Sequence, residues 1–370
     1  MVKLQAEIDK LNPQALTALM ILSIVEYEIF TFSRMTIGLA KQDAWLAVII
    51  GAVIGSICVF FFVKLAARFP QKSYFLYLRI VWGKPLGLLF AFSYLLFWIV
   101  FLSLLFNEAM VSNNLLFLPK TPAIVPLLIL AITLIWLISY GLTPIIRFFQ
   151  LLLPFLVIPL VLLSVLFLRS IDWSCFQPVL GNGLLPVLKG SLTFLGAYQG
   201  PEVLLFAAPL FMQINKGSKA AVLGYAVTAF FGLSNTFAAL GILGIENVQK
   251  SVLPGINVVT LLELPGFPVE RFGLLLTLPW LIAIYTTMAI YLYLLSYNFV
   301  YLFNLKNRKV YIYVFTGLPL LIGYLIPNAI WHETLRYYLT FATVPLVYIL
   351  PLLTIFLAVI RKKGRLSHEK

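Results

Sequence analysis

Charge is what this chain has least of. Of its 370 residues only 11% are Asp, Glu, Lys or Arg, where soluble domains carry about 25%. That scarcity excludes a soluble globular enzyme and a disordered chain. Cysteine is nearly absent: Cys58 lies in an apolar run and Cys175 in a loop, so there is no disulfide framework, no CxxC pair and no zinc spacing. The two histidines, His332 and His368, read as a loop and a tail residue, and no metal site is expected. No nucleophile–base pair, phosphate loop or cofactor motif occurs, so the expectation is a non-enzyme without a cofactor. Apolar runs are continuous rather than alternating, which excludes a β-barrel. No small-residue cleavage site follows the first apolar run, which therefore reads as a retained helix rather than a signal peptide.

What is present is apolar: 62% of residues are hydrophobic and the mean hydropathy is +1.02. A hydrocarbon core of ~30 Å needs about 20 apolar residues per crossing. Ten segments qualify, near 15–38, 44–66, 86–110, 123–140, 148–168, 187–211, 220–243, 271–303, 310–326 and 337–360. The reading is an all-α polytopic membrane protein, one transporter-like domain over 1–370 with tails at 1–14 and 361–370. Stretch 73–82 is too short to span and reads as an interfacial helix; 254–266 reads as a cover over the outer face. The net charge of +13 reads as topogenic rather than as a nucleic-acid footprint. With the N-terminus inside, 17 Lys and Arg fall in inside loops and tails and 7 in outside loops, so both tails are expected in the cytoplasm.

Ionisable groups in mid-crossing are costly and point to function. The first segment carries Glu26, Tyr27 and Glu28 near its middle. Residues two apart on a helix point about 200° apart, so a regular helix would turn one carboxyl to lipid. The sixth segment carries Gly196-Ala197-Tyr198-Gln199-Gly200-Pro201-Glu202, and Gly-Pro interrupts a helix. Five crossings separate the two interruptions. Five is odd, so the second group of five enters from the opposite side. Interrupted helices at matching positions of two inverted groups point to a midplane binding site. Half-helix N-termini there suit a carboxylate, and freed carbonyls with Glu side chains suit an ammonium, so an amino-acid zwitterion fits both.

Further along, short stretches resemble one family in order and spacing. They are Lys41-Gln42-Asp43-Ala44-Trp45-Leu46, Arg68-Phe69-Pro70, Trp82-Gly83-Lys84-Pro85-Leu86-Gly87, Thr121-Pro122, Gly141 with Ile146-Arg147 and Pro154, and Tyr198-Gln199-Gly200-Pro201-Glu202-Val203-Leu204-Leu205-Phe206. Together the chain resembles the B subunit of spore germinant receptors, the endospore germination permease branch of the amino acid–polyamine–organocation superfamily. The resemblance implies a LeuT-like fold of about ten helices in a 5+5 inverted repeat, with helices 1 and 6 broken. It implies a nutrient pocket between helices 1, 3, 6 and 8, and A and C subunits as partners in the spore inner membrane. The chain departs from the family at the first break, where Glu26 and Glu28 replace the usual small residues and Ser33-Arg34 stands where Pro-Arg is frequent.

The residues expected at the binding site are Glu26, Tyr27, Glu28, Ser103, Tyr198, Gln199, Gly200, Glu202, Thr286 and Thr287. Glu108 reads as interfacial, and Arg34 as snorkelling at the outer end of helix 1. The expected function is nutrient sensing within a germinant receptor. The alternative is an amino-acid/proton symporter of the same superfamily, with Glu202 or a helix 1 Glu as proton carrier. Membrane lipid is the expected surrounding, and no nucleic acid is expected as a partner.

Overall fold

A computed structural model describes residues 11–26, 28–70, 72–114, 120–251, 254–261 and 273–364, with backbone alone at 28–31, 256, 260, 273–278 and 329. The described residues form helices α1 (Ala15–Ile24), α2 (Glu28–Ala40), α3 (Ala44–Arg68), α4 (Tyr74–Trp82), α5 (Lys84–Ser112), α6 (Ile124–Ser139), α7 (Leu142–Phe167) and α8 (Leu184–Ala197). They continue as α9 (Val203–Ala207), α10 (Ser218–Ala238), α11 (Gly244–Lys250), α12 (Pro254–Thr260), α13 (Gly273–Leu302), α14 (Arg308–Leu325), α15 (Ala329–Thr343) and α16 (Leu350–Ile360). Among the described residues, six helical stretches are long and apolar enough to cross a membrane, and three shorter apolar helices join them.

Both interruptions fall where the sequence puts them. The first crossing is α1 and α2, parted at Val25, whose ψ of 104° leaves the helical region. The sixth is α8 and α9, parted over Tyr198–Glu202. Each break leaves helix-end N–H and C=O groups that lipid cannot satisfy, so each must be enclosed by protein. The two enclose each other. Gly200 has φ +120°, and a Cβ there would lie 2.5 Å from the Ser23 carbonyl oxygen and 2.6 Å from Ile24 Cγ1. Only glycine meets both the dihedral and the contact.

Around this centre α3 packs against α8 and α10, α5 against α4 and α14, and α13 against α7 and α5. Close approach is bought by small residues, as in other membrane bundles: Gly55 of α3 faces the Tyr225 ring of α10. Short helix α4 has the expected extent, but Tyr74, Phe75, Tyr77, Leu78 and Val81 are buried against α5 and α16 instead of resting on lipid. Part of stretch 254–266 lies outside the described residues; its start, α12, packs on α2. The tenth crossing begins earlier than the hydropathy suggests. It starts at Ala329, where the Asn328 side chain accepts from the Trp331 N–H at 3.1 Å. A π-helical stretch, Val344–Ile349, interrupts it before α16.

Candidate functional site

The centre of the site is Glu202, fully buried. One carboxylate oxygen accepts from the Gly200 N–H at 2.9 Å. The other accepts from Tyr291 Oη of α13 at 2.8 Å and from Trp98 Nε1 of α5 at 3.3 Å. The side chain thus occupies an N–H freed by the break and ties α5 and α13 to it. Tyr291 and Trp98 are the partners the sequence analysis missed. A buried indole N–H or phenol in mid-membrane needs an acceptor, which was the available signal.

Gln199 sits in the same break, 1% exposed. Neither its Oε1 nor its Nε2 has a hydrogen-bond partner among the described residues. Its neighbour Tyr198 is engaged: its hydroxyl donates to the Thr228 carbonyl at 3.0 Å, and its ring stacks on Phe194 with centroids 4.0 Å apart. The Tyr198 carbonyl accepts from Tyr348 of the π-helical stretch at 2.6 Å. The break in helix 6 is therefore held from α5, α10, α13 and the tenth crossing.

The first break is held from α13. Thr287 donates to the Leu22 carbonyl at 3.1 Å, and the Thr286 hydroxyl lies within hydrogen-bond reach of the same carbonyl at 3.2 Å. Thr286 also reaches the Ile282 carbonyl of its own helix at 2.8 Å, the usual habit of a membrane threonine. Neighbouring Tyr285 turns away, donating to the Thr133 carbonyl of α6 at 3.2 Å. Ser103 is buried and donates to Ile99 O on its own helix at 2.7 Å. Tyr27 lies outside the described residues, as does the side chain of Glu28.

Glu26 is 1% exposed, and its Oε1 lies 3.8 Å from Arg336 Nη1. This joins the first break to a second polar cluster, where three placements differ from the sequence reading. His332, read as a loop residue, and Arg336, which precedes the tenth segment read from hydropathy, are buried in α15, and Glu108, read as interfacial, is 2% exposed. The run Trp331-His332-Glu333-Thr334-Leu335-Arg336 is polar on average, so hydropathy hid a helix whose polar side faces protein. Arg336 Nη2 and His332 Nε2 both meet Glu108 Oε1, the latter at 3.1 Å. Arg34 has an acidic neighbour: its Nη1 stands 3.9 Å from Glu333 Oε2, both side chains part-exposed. A cavity of about 650 Å³ opens beside this cluster, bordered by Arg34, Gln249, Glu333, Arg336 and Tyr337.

Two interrupted helices packed break to break inside a helical bundle define the class: a polytopic membrane protein of transporter architecture. Solved structures agree on the fold. A nucleobase-cation-symport transporter, Mhp1, in a closed conformation with bromovinylhydantoin bound, superposes with TM-score 0.62 at 15% identity, over 91% of this chain and 76% of that one. An Eremococcus coleocola manganese transporter gives TM-score 0.61 at 12% identity, over 92% and 78%. The fold is thus LeuT-like. The chain belongs to the spore germination protein family, whose model matches residues 10–330. Curated relatives from Bacillus subtilis (strain 168) include spore germination protein YndE, 27% identical over 273 residues, covering 72% of this chain and 73% of that protein. Spore germination protein KB is 24% identical over 354 residues, covering 92% and 94%.

Proposed function

We propose that this chain is the nutrient-sensing subunit of a spore germinant receptor. It binds a small germinant of the amino-acid class at the membrane midplane, between the two breaks, and passes a change of state to A and C subunits in the spore inner membrane. The observation that carries the reading is Gln199. A buried amide with both polar atoms unpaired costs about 1–3 kcal/mol per atom, and the site keeps it beside Glu202 and the Gly200 break. An amide offers one acceptor and one donor face, which matches the ammonium and carboxylate of a zwitterion. Glu202, with its oxygens engaged by three donors, positions the break around that ligand. Binding drives signalling only if the two states of the subunit bind the germinant with different affinity.

The test is Gln199→Leu, which keeps side-chain size and removes both polar atoms. A merely structural Gln199 would make Leu neutral or stabilising. A ligand-reading Gln199 shifts the half-maximal nutrient concentration for germination by tenfold or more, about 1.4 kcal/mol, with subunit abundance unchanged on immunoblot. An unchanged dose–response removes Gln199 from the site. If deletion of the gene leaves nutrient germination intact and lowers amino-acid uptake instead, the symporter reading replaces the receptor one.

A further inference from the structure

The Gln199 side chain has no hydrogen-bond partner among the described residues, yet the backbone on either side of it is fixed. The peptide that follows it is held by its N–H, which donates from Gly200 to Glu202 Oε2 at 2.9 Å. The peptide that precedes it is held by its carbonyl, since Tyr198 O accepts from Tyr348 Oη at 2.6 Å. Peptide groups are planar, so one hydrogen bond sets the tilt of each plane. Together the two planes set the direction in which Gln199 projects its amide. Glu202 belongs to the same segment. Tyr348 comes from 150 residues beyond Tyr198, in the π-helical stretch Val344–Ile349 of the tenth crossing.

That stretch has a cause in the sequence. The Leu350 N–H goes to the Pro345 carbonyl, five residues back, and so does not serve Leu346. The next residue, Pro351, has no N–H. The Leu346 carbonyl therefore lacks a helical donor, and the Tyr94 hydroxyl of α5 donates to it from the side. The wide turn between the two prolines is held by a tyrosine of another helix. Turns of this kind are rare and gather at functional sites.

The direction of each hydroxyl bond follows from counting hydrogens. A phenol has one, and a carbonyl only accepts, so Tyr348 donates to Tyr198. In its 3.3 Å contact with the Tyr225 hydroxyl of α10, the donor is then Tyr225. Tyr225, Tyr348 and the Tyr198 carbonyl form a one-way chain, and all three residues are at most 4% exposed. Gly55 of α3 leaves room for its first member: a Cβ there would lie 2.0 Å from the Tyr225 hydroxyl.

We infer that Tyr348 is a positioning residue of the candidate binding site: it orients the Tyr198–Gln199 peptide and so pre-organises the Gln199 amide for the ligand. This rests on Gln199 reading the ligand, as proposed above. A group held ready in its bound geometry loses less freedom on binding. Tyr348 touches only the peptide and acts through Gln199.

Two measurements test this on the full-length chain. The first needs no ligand: hydrogen exchange in lipid nanodiscs, read by mass spectrometry over the segment that spans the break. Tyr348→Phe keeps the ring and removes the donor. It should speed exchange at the break by about three- to tenfold, the size of one lost hydrogen bond, and leave the other helices at their own rates. Tyr225→Phe keeps the last bond of the chain and should leave the break at the wild-type rate. If Tyr348→Phe does not fold, the double variant with Tyr225→Phe takes its place, because it leaves no orphaned phenol. Unchanged exchange at the break, or faster exchange spread over all helices, overturns the inference.

The second measurement is spore germination, with a mixture of the standard amino acids in equal amounts as the probe. Tyr348→Phe should raise the half-maximal concentration by about three- to tenfold at an unchanged maximal rate, and add nothing on top of Gln199→Leu. Shifts that multiply in the double variant overturn the role through Gln199. If Gln199→Leu alone leaves the curve unchanged, the ligand reading of Gln199 fails and the site role of Tyr348 falls with it, whereas the exchange rates judge its hold on the break separately.

Discussion

Replacing Gly200 by Ala tests the packing of one break against the other. Two costs act at that position. A side chain at φ +120° is strained by about 1–3 kcal/mol. The new methyl would also lie 2.5 Å from the Ser23 carbonyl oxygen, and overpacking of that kind costs about 1–3 kcal/mol. Backbone takes most of the displacement, because the nearest atom belongs to the end of α1 and not to a flexible side-chain tip. The summed loss is about 2–6 kcal/mol. Gly38→Ala is the control: it lies in α2 with nothing within 4 Å of its added Cβ. That exchange should be neutral or favourable by up to about 1 kcal/mol. Thermal unfolding of full-length protein in detergent, followed by tryptophan fluorescence, reads both. A marked fall in the midpoint for Gly200→Ala, with none for Gly38→Ala, is expected. Equal midpoints for Gly200→Ala and wild type would refute the abutment of the two breaks.

The Leu22 carbonyl lies within hydrogen-bond reach of two threonine hydroxyls, so each can cover for the other. Thr286→Val or Thr287→Val alone should cost about 0.5–1.5 kcal/mol, and the double variant more than their sum, because it strips both donors from a buried carbonyl. A double-mutant cycle that closes additively would contradict the shared role. The asymmetry of Lys and Arg predicts cytoplasmic termini. Expressed in a bacterium, a C-terminal fluorescent fusion should glow and a C-terminal alkaline phosphatase fusion should stay inactive; an active phosphatase would place the C-terminus outside.

Much of this architecture was legible from residue order alone. Long apolar runs fix helices in lipid, because backbone polar groups have no other partner there. Gly200-Pro201 breaks a helix for local reasons, a missing donor and a relaxed dihedral, and the Glu26–Glu28 spacing marks strain without any knowledge of neighbours. Hydropathy erred where polarity faces protein instead of water: the polar opening of α15 read as a loop because a sum over residues carries no direction. Partners lay beyond sequence reasoning altogether. Glu202 receives Trp98 from 104 residues away and Tyr291 from 89, and Glu108 meets His332 across 224. Sequence determined that carboxylates stand in the membrane and where the helices part. Only the tertiary structure decided which carboxylate is filled by Trp98, Tyr291 and the Gly200 N–H and which meets Arg336 and His332, because that depends on helices brought together from opposite ends of the chain.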